Sequence, residues 1–254
     1  MVQCSWKICF SFQRKEFTME LYGVRYAKNF KYATWEAIYK DNVIKKETQE
    51  FIFLYYIAKY NGKTILIDTG FRDKKTASDM GITLLDIESE VQDILKDSKN
   101  IDVIFITHSH FDHINNLDLY AKASIIISKA EYDIAMKESP KSVRNTLSIA
   151  NVKLIEDEYT LDGKLRFKVI GGHSLGSSVI YFDEGEKNYV ITGDECYIRD
   201  NISKNIPVGF FVDTQKNERF IKDSYIKGII PLCFHDVTMF DDYPQVSENI
   251  IKIV

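Results

Sequence analysis

The chain reads as a mixed α/β fold of two halves, each packing a sheet with helices outside it. Three observations predict it. Apolar stretches of strand length come in the order strands, helix and strand, then strands again, then helix and strand. No internal repeat and no Gly/Ser-rich linker divides the 254 residues. Hydrophobic residues make up 45% of them, ample for one large core and too few to make two big domains comfortable.

Taken in order, Glu20–Arg25, Thr34–Tyr39, Phe51–Lys59 and Lys63–Ile67 read as strands, the last two joined by the turn Tyr60-Asn61-Gly62. Leu84, Ile87, Val91, Ile94 and Leu95 fall on one face at helical spacing, so a helix follows. Val103–Ile106 reads as a buried strand, 111–120 as a short helix, Ser124–Ser128 as another buried strand and Glu131–Lys137 as helix. Strands return at Val152–Ile155, Leu165–Ile170, Val179–Phe182 and Tyr189–Thr192. Asp213 is a candidate N-cap for a helix presenting Phe220, Ile221 and Tyr225 and stopped by Gly228. A last apolar strand, Ile229–Phe234, delivers His235.

Composition excludes several classes. With 33 Lys+Arg against 37 Asp+Glu the net charge is −4, which argues against a generic basic nucleic-acid surface and leaves room only for a local basic patch. Aromatics at 13%, with 12 Gly and 4 Pro, exclude disordered and collagen-like chains. Cys4, Cys9, Cys196 and Cys233 form no CxxC pair and no disulfide framework, so a reducing cytoplasm is expected. No apolar run approaches the roughly 18–20 residues of a membrane span. Neither a nucleic acid nor a membrane is therefore expected as a partner. Residues 1–18 read as a leader from an upstream start codon or a loosely attached arm, and 19–254 as a single domain.

Histidine carries the functional signal. The chain has five, and three fall in Ile104-Phe-Ile-Thr-His-Ser-His-Phe-Asp-His113, which places His108, His110, Asp112 and His113 within six residues directly after an apolar strand. A lone histidine is more often a satisfied polar residue than a ligand. Three imidazoles and a carboxylate so close suit a divalent metal. A strand end followed by a tight loop lets His108 and His110 converge while Asp112 and His113 point to a second position. His173 sits among small residues in Gly171-Gly-His-Ser-Leu-Gly-Ser-Ser178, where the backbone can approach a buried site. His235 ends the last strand, and Asp194 follows Tyr189–Thr192 in a turn. Each lies at the C-terminal end of an expected strand, where α/β architectures gather site residues.

These motifs, in this order, resemble those of the metallo-β-lactamase superfamily. HSHFDH is followed by one His, one Asp and a further His, and Asp68 in Leu66-Ile-Asp-Thr-Gly70 matches an early strand-end motif. The resemblance spans about residues 50–236 and implies a four-layer αβ/βα sandwich of two mixed sheets with helices outside and a metal site at one edge. It also implies ligand roles. His108, His110 and His173 would take a first metal, Asp112, His113 and His235 a second, and Asp194 would bridge them. Asp68 would orient ligands or the loop holding them, though physics alone allows it simply to cap a turn.

The implied cofactors are two divalent ions, Zn²⁺ by default with Mn²⁺ or Fe²⁺ compatible. The implied reaction is hydrolysis, in which a metal-bridging hydroxide attacks an ester-type carbonyl of a small-molecule substrate. Asp112 would also move a proton. Among subclasses, Asp194 at the bridging position disfavours β-lactam substrates, and His110 disfavours iron redox chemistry. Glutathione thioesterases carry a helical substrate-binding tail, and the 19 residues after His235 disfavour glutathione thioesters without excluding other thioesters. Tyr197, Ile206-Pro-Val-Gly-Phe210 and the pair His235-Asp236 resemble the N-acyl-homoserine lactonase family, in which the tyrosine reaches the substrate carbonyl. Ile114-Asn115-Asn116, HSLG around His173 and Phe234 before His235 depart from that pattern and bear on pocket shape. A lactone is thus the favoured substrate. A phosphodiester, a thioester or a non-catalytic metal-binding or sensing role are the alternatives. Cys196 is expected as a small packed residue, Arg199 as a solvated cation and Phe51–Tyr56 as sheet core.

Overall fold

The computed structural model describes residues 18–29, 35–42, 50–95 and 101–254. The arm expected over residues 1–18, with Cys4, Trp6 and Cys9, lies outside the described residues except for Thr18, and so does the side chain of Trp35.

The strands are β1 (Glu20–Asn29), β2 (Phe51–Tyr60), β3 (Lys63–Ile67), β4 (Thr83–Leu84), β5 (Val103–Ile106), β6 (Ser124–Ser128) and β7 (Asn151–Ile155), then β8 (Glu158–Leu161), β9 (Leu165–Val169), β10 (Ser178–Glu184), β11 (Lys187–Ile191), β12 (Ile230–Leu232), β13 (Gln245–Ser247) and β14 (Ile250–Lys252). The helices are α1 (Trp35–Ile38), α2 (Lys74–Asp79), α3 (Glu88–Leu95), α4 (Phe111–Ile114), α5 (Lys129–Glu138), α6 (Lys141–Ile149), α7 (Arg199–Ser203), α8 (Thr214–Lys227) and α9 (Met239–Asp242). Among the described residues one sheet runs β13-β14-β1-β2-β3-β5-β6-β7, with β4 pairing onto β1, and the other runs β12-β11-β10-β9-β8.

Strand periodicity of two sorts the apolar side chains into layers. On β2, Ile52, Leu54, Tyr56 and Ala58 join Phe105 of β5 and Phe167, Ile180 and Ile191 of the other sheet in one core between the sheets. The alternate residues Phe53, Tyr55 and Ile57 face outward, with Ile104 and Ile106, onto Ala77 of α2, Ile94 of α3, Ala135 of α5 and Val143 and Leu147 of α6. On the far side, Val179 and Val190 pack under Ile202 of α7 and Phe220 and Ile221 of α8. The result is helix, sheet, sheet, helix: the expected four layers of two mixed sheets with helices outside. Phe105 stacks on Phe167 across the central layer, centroids 5.8 Å apart at 14°, a contact worth about 0.5–1.5 kcal/mol beyond the area it buries.

Several expectations need correction. Residues 35–38 form the short helix α1 rather than part of a strand. Both sides of β1 are already paired, by β2 on one and by β14 and β4 on the other, so that strand offers the segment no partner. Ile38 and Tyr39 pack instead on Tyr197, Ile198 and Val208. Leu84 belongs to β4, paired with Ala27, and the helix expected from it begins only at Glu88. The helix expected over 111–120 divides into α4 and a 3₁₀ turn, Leu117–Tyr120. α6, β8 and the terminal hairpin β13–β14 were not expected at all.

The topology gathers the site. β3, β5 and β6 run parallel, as do β11 and β12. The segments carrying Asp68, His108–His113, His173, Asp194 and His235 leave the C-terminal ends of β3, β5, β9, β11 and β12.

Candidate metal centre

The loop after β5 is tied from below. Asp68 follows β3 with a positive φ of 61°, a left-handed conformation that Asp tolerates better than most residues. That turn aims its carboxylate back at the loop. It accepts from the backbone N–H of Thr107 and from the Thr107 hydroxyl, each at 2.7 Å, and lies 2.7 Å from Nδ1 of His113. The Tyr26 hydroxyl donates to the Asp112 carbonyl at 2.7 Å, fixing the first turn of α4.

Two further buried carboxylates, which the sequence reading missed, hold the histidine loops together. One oxygen of Glu131 accepts from the N–H and hydroxyl of Ser109, at 2.7 and 2.6 Å. The other accepts from the Ser174 hydroxyl and the Gly176 N–H, at 2.6 and 2.9 Å. Glu131 thus joins the segment between His108 and His110 to the segment after His173. Glu195 accepts from the N–H groups of Gly172 and His173 at 2.8 and 2.9 Å, from the Ser177 hydroxyl and from the Asn217 amide. A Cβ at position 172 would sit 2.5 Å from Glu195 Oε2 and 2.8 Å from the Asn217 nitrogen, so only glycine fits there. The glutamates' own spacing carried no motif. The small-residue run around His173 was the available signal.

All five histidines converge. His108, His110, His173 and Asp194 offer ligand atoms within 4.8 Å of one another, as do Asp112, His113 and His235. His110 Nδ1 lies 3.0 Å from Nε2 of both His108 and His173. The two oxygens of Asp194 divide between the groups. Oδ2 is 3.6 Å from His108 Nε2 and 3.5 Å from His173 Nε2, whereas Oδ1 is 3.2 Å from His113 Nε2 and 3.1 Å from His235 Nε2. Asp112 Oδ2 reaches toward the second group, 3.7 Å from His113 Nε2 and 3.8 Å from His235 Nε2.

The outer ring nitrogens are engaged elsewhere. His173 Nδ1 donates to the Phe210 carbonyl at 3.0 Å and His235 Nδ1 to the Ile52 carbonyl at 2.9 Å. A ring that donates from Nδ1 keeps a lone pair on Nε2, and these lone pairs point inward. Burial, followed by the charge of His113, pushes His108 well below the usual histidine range. Burial and then His173 lower His110. For His113, burial opposes the charged form, but Asp194, Asp112 and Asp68 outweigh it and raise the group well above its ordinary value. Asp194 is held far down: burial works against ionisation and is overcome by His113, His235 and His108.

Five imidazole nitrogens and two carboxylates crowding one cavity suit cations better than one another. His113 Nε2 is buried and, although 3.2 Å from Asp194 Oδ1, makes no well-aligned hydrogen bond, an atom of the kind a metal satisfies. The residues present therefore fit divalent metal.

Above the cluster lies a pocket of about 860 Å³ lined by Phe51, Phe53, Phe111, Phe210 and Phe211 beside His110, Asp112, Tyr197 and His235. Phe51 stacks on His235 at 4.2 Å, so residues expected only as sheet core also line the site. Tyr197 is buried, its ring 5.4 Å from that of His235 and 5.7 Å from that of His173. Burial, then Asp194 and Asp112, keep its phenol protonated well above the usual range. Cys196 packs in the outer core with Sγ 3.5 Å from that of Cys233. Arg199 is not a solvated cation. Its backbone N–H and guanidinium both bind Asp236, at 2.8 and 3.3 Å, which locks the residue after His235 to the start of α7.

Residues 48–223 match the family model described as the metallo-beta-lactamase superfamily. The chain belongs to the metallo-beta-lactamase superfamily. It is a hydrolase of that superfamily, and the His/Asp cluster offers two groups of residues that could each hold a metal ion. An N-acyl homoserine lactonase of Bacillus thuringiensis is 22% identical over 171 residues, 61% of this chain and 68% of the relative. Among solved structures of the superfamily's fold, a quorum-quenching N-acyl homoserine lactone lactonase superposes with a TM-score of 0.73 at 18% identity, covering 91% of this chain and 98% of the other. A dizinc quorum-quenching lactonase in complex with a product superposes with a TM-score of 0.58 at 19% identity, covering 93% and 96%. Among the described residues no helix is long and apolar enough to cross a membrane.

Proposed function

We propose that the chain hydrolyses a small, largely apolar ester, with a lactone bearing an acyl chain as the favoured substrate. The observation that carries this is the lining of the pocket over the metal cluster. Five phenylalanines face it with Met80, Ile82 and Val212, and among the described residues no Lys or Arg does. A phosphodiester would bring at least one negative charge into such a pocket with no cationic side chain to meet it. An acyl chain loses nothing by leaving water there, each buried methylene contributing about 0.8 kcal/mol. The similarity to lactonases supports the same reading.

His108, His110 and His173 would hold one cation, Asp112, His113 and His235 a second, with Asp194 between them through its two oxygens. Zn²⁺ is the proposed occupant, because imidazole nitrogen and carboxylate oxygen are its usual partners. Such cations, when bound, supply Lewis acidity that polarises a carbonyl and brings the pKa of water toward neutrality. The protein does the rest. Phe51, Phe210 and Phe211 bind and desolvate the acyl part. Tyr197, held neutral, donates its phenolic hydrogen to the substrate carbonyl oxygen as charge develops there. Asp112, on the pocket wall, takes a proton from attacking water and returns it to the leaving alkoxide.

The test is a panel of purified-protein assays with metal content measured alongside. Turnover of an acyl-homoserine lactone well above that of a phosphodiester and a thioester is expected. Preference for the phosphodiester would overturn the reading, and two bound metals with no turnover of any of the three would favour a sensing role.

A further inference from the structure

We infer that the outer face of the smaller sheet carries a second binding site, for a small anion bearing two or more phosphate groups. β9 turns Leu165 and Phe167 into the central core, and strand alternation therefore sends Arg166 and Lys168 outward. α8 covers β10 and β11 through Phe220 and Ile221 and leaves the outer flank of β9 open. Along the edge of α8 that borders this opening stand Lys216, Arg219 and Lys227. Their spacing of three and eleven residues keeps them within about a quarter-turn of one another. Lys164 closes the end of the groove, which measures about 980 Å³ and shares no residue with the pocket over the metal cluster.

Six cations from two independent elements thus face one groove, against Asp183 and Asp223, in a chain whose acids outnumber its bases. Three are answered from the rim: Lys164 by Glu184 at 2.8 Å, Arg166 by Glu158 at 3.4 Å and Lys216 by Asp213 at 3.7 Å. Among the described residues no carboxylate lies in ion-pair range of Lys168, Arg219 or Lys227. Like charges gathered this way repel unless an anion sits between them. The guanidinium carbon of Arg166 lies over the Tyr181 ring, 4.5 Å from its centroid. Guanidinium forks match phosphate oxygens.

The volume selects size. It falls at the upper end of small-molecule sites, large enough for a nucleotide. A nucleic-acid strand fits less well, because Asp223 interrupts the cationic edge of α8 between Arg219 and Lys227. The shared ligand chemistry is a chain of phosphates, free or carried by a nucleoside.

Calorimetric titration of the metal-loaded protein with inorganic triphosphate and with ADP, at physiological salt, tests this, with ¹⁵N resonances mapped in parallel. Saturable binding is expected, with shifts on β9 and α8. The exposed double variant K168E/R219E should bind at least about tenfold more weakly, through the loss of two phosphate contacts, and should keep ester turnover. Equal affinity for the two probes would assign the site to the phosphate chain itself, and tighter ADP binding to a nucleotide. No saturable binding of either probe at millimolar concentration would overturn the proposal. Binding undiminished in the variant with shifts confined to the metal cluster would do the same, as would tighter variant-sensitive binding of a single-stranded RNA.

Discussion

Nδ1 of His113 lies 2.7 Å from a carboxylate oxygen of Asp68, and neither side chain reaches solvent. The pair fixes which nitrogen of His113 faces the metal cluster. Asp68→Asn keeps the shape and removes the charge that supports the ring. Metal affinity should fall about 10- to 100-fold, as loss of such an outer partner commonly does. Competition with a chelator measures it. An unchanged affinity would show that Asp68 merely caps its turn.

Glu131 offers a sharper case. Each of its oxygens accepts one backbone N–H and one hydroxyl. In Glu131→Gln the amide NH₂ must therefore face an N–H in either orientation. A buried donor left without an acceptor costs about 1–3 kcal/mol, and Tm should drop by about 2–4 °C for each kcal/mol lost. Metal affinity should fall with it, since the His110 and His173 loops lose their common anchor. Calorimetry with metal titration checks both, and no change in either would sink the role.

Because every histidine of the chain stands in the cluster, metal binding leaves no imidazole as a bystander. Titrating metal into stripped protein should move all five sets of imidazole NMR signals over the same range of added metal. At a free metal concentration a thousand times Kd, the gain in stability should be about 4 kcal/mol for each site filled. An imidazole that does not respond would remove that residue from the site.

Tyr197→Phe removes one donor and leaves the ring that packs beside His173 and His235. If the phenol meets the substrate oxygen as charge develops, kcat should fall about 10²-fold with metal content intact. A change confined to KM would mean that Tyr197 only shapes the pocket.

Arg72 binds both oxygens of Asp118, at 2.9 and 2.7 Å, and also Asn116 at 3.0 Å, bracing the segment after Asp68 against the segment after α4. The hydrogen bond from Arg72 lowers the pKa of Asp118 despite partial burial. A carboxyl depressed on folding stabilises above its unfolded pKa of about 3.9, and that stability is lost as pH falls through the folded value. Half of Arg72 is exposed, so the gain is about 0.2–1 kcal/mol. Denaturant melts of Asp118→Asn should show less stability than the parent at neutral pH and the same stability well below pH 4. A constant difference at all pH values would contradict this.

Legible in the amino-acid order alone were the strands that lead into the site, the α8 caps at Asp213 and Gly228, and the convergence of five histidines with Asp112 and Asp194. These are local matters, set by periodicity, capping chemistry and the rarity of clustered imidazoles. Tertiary structure alone decided the rest. It turned residues 35–38 into a short helix whose Ile38 packs on Tyr197, Ile198 and Val208. It drew Glu131 and Glu195 beneath the histidine loops and Arg199 onto Asp236. It also split Asp194's oxygens between two groups of donors. A buried carboxylate must find its donors wherever the fold brings them, and those donors lie 18 to 45 residues away along the chain. No window of sequence holds both ends of such a bond.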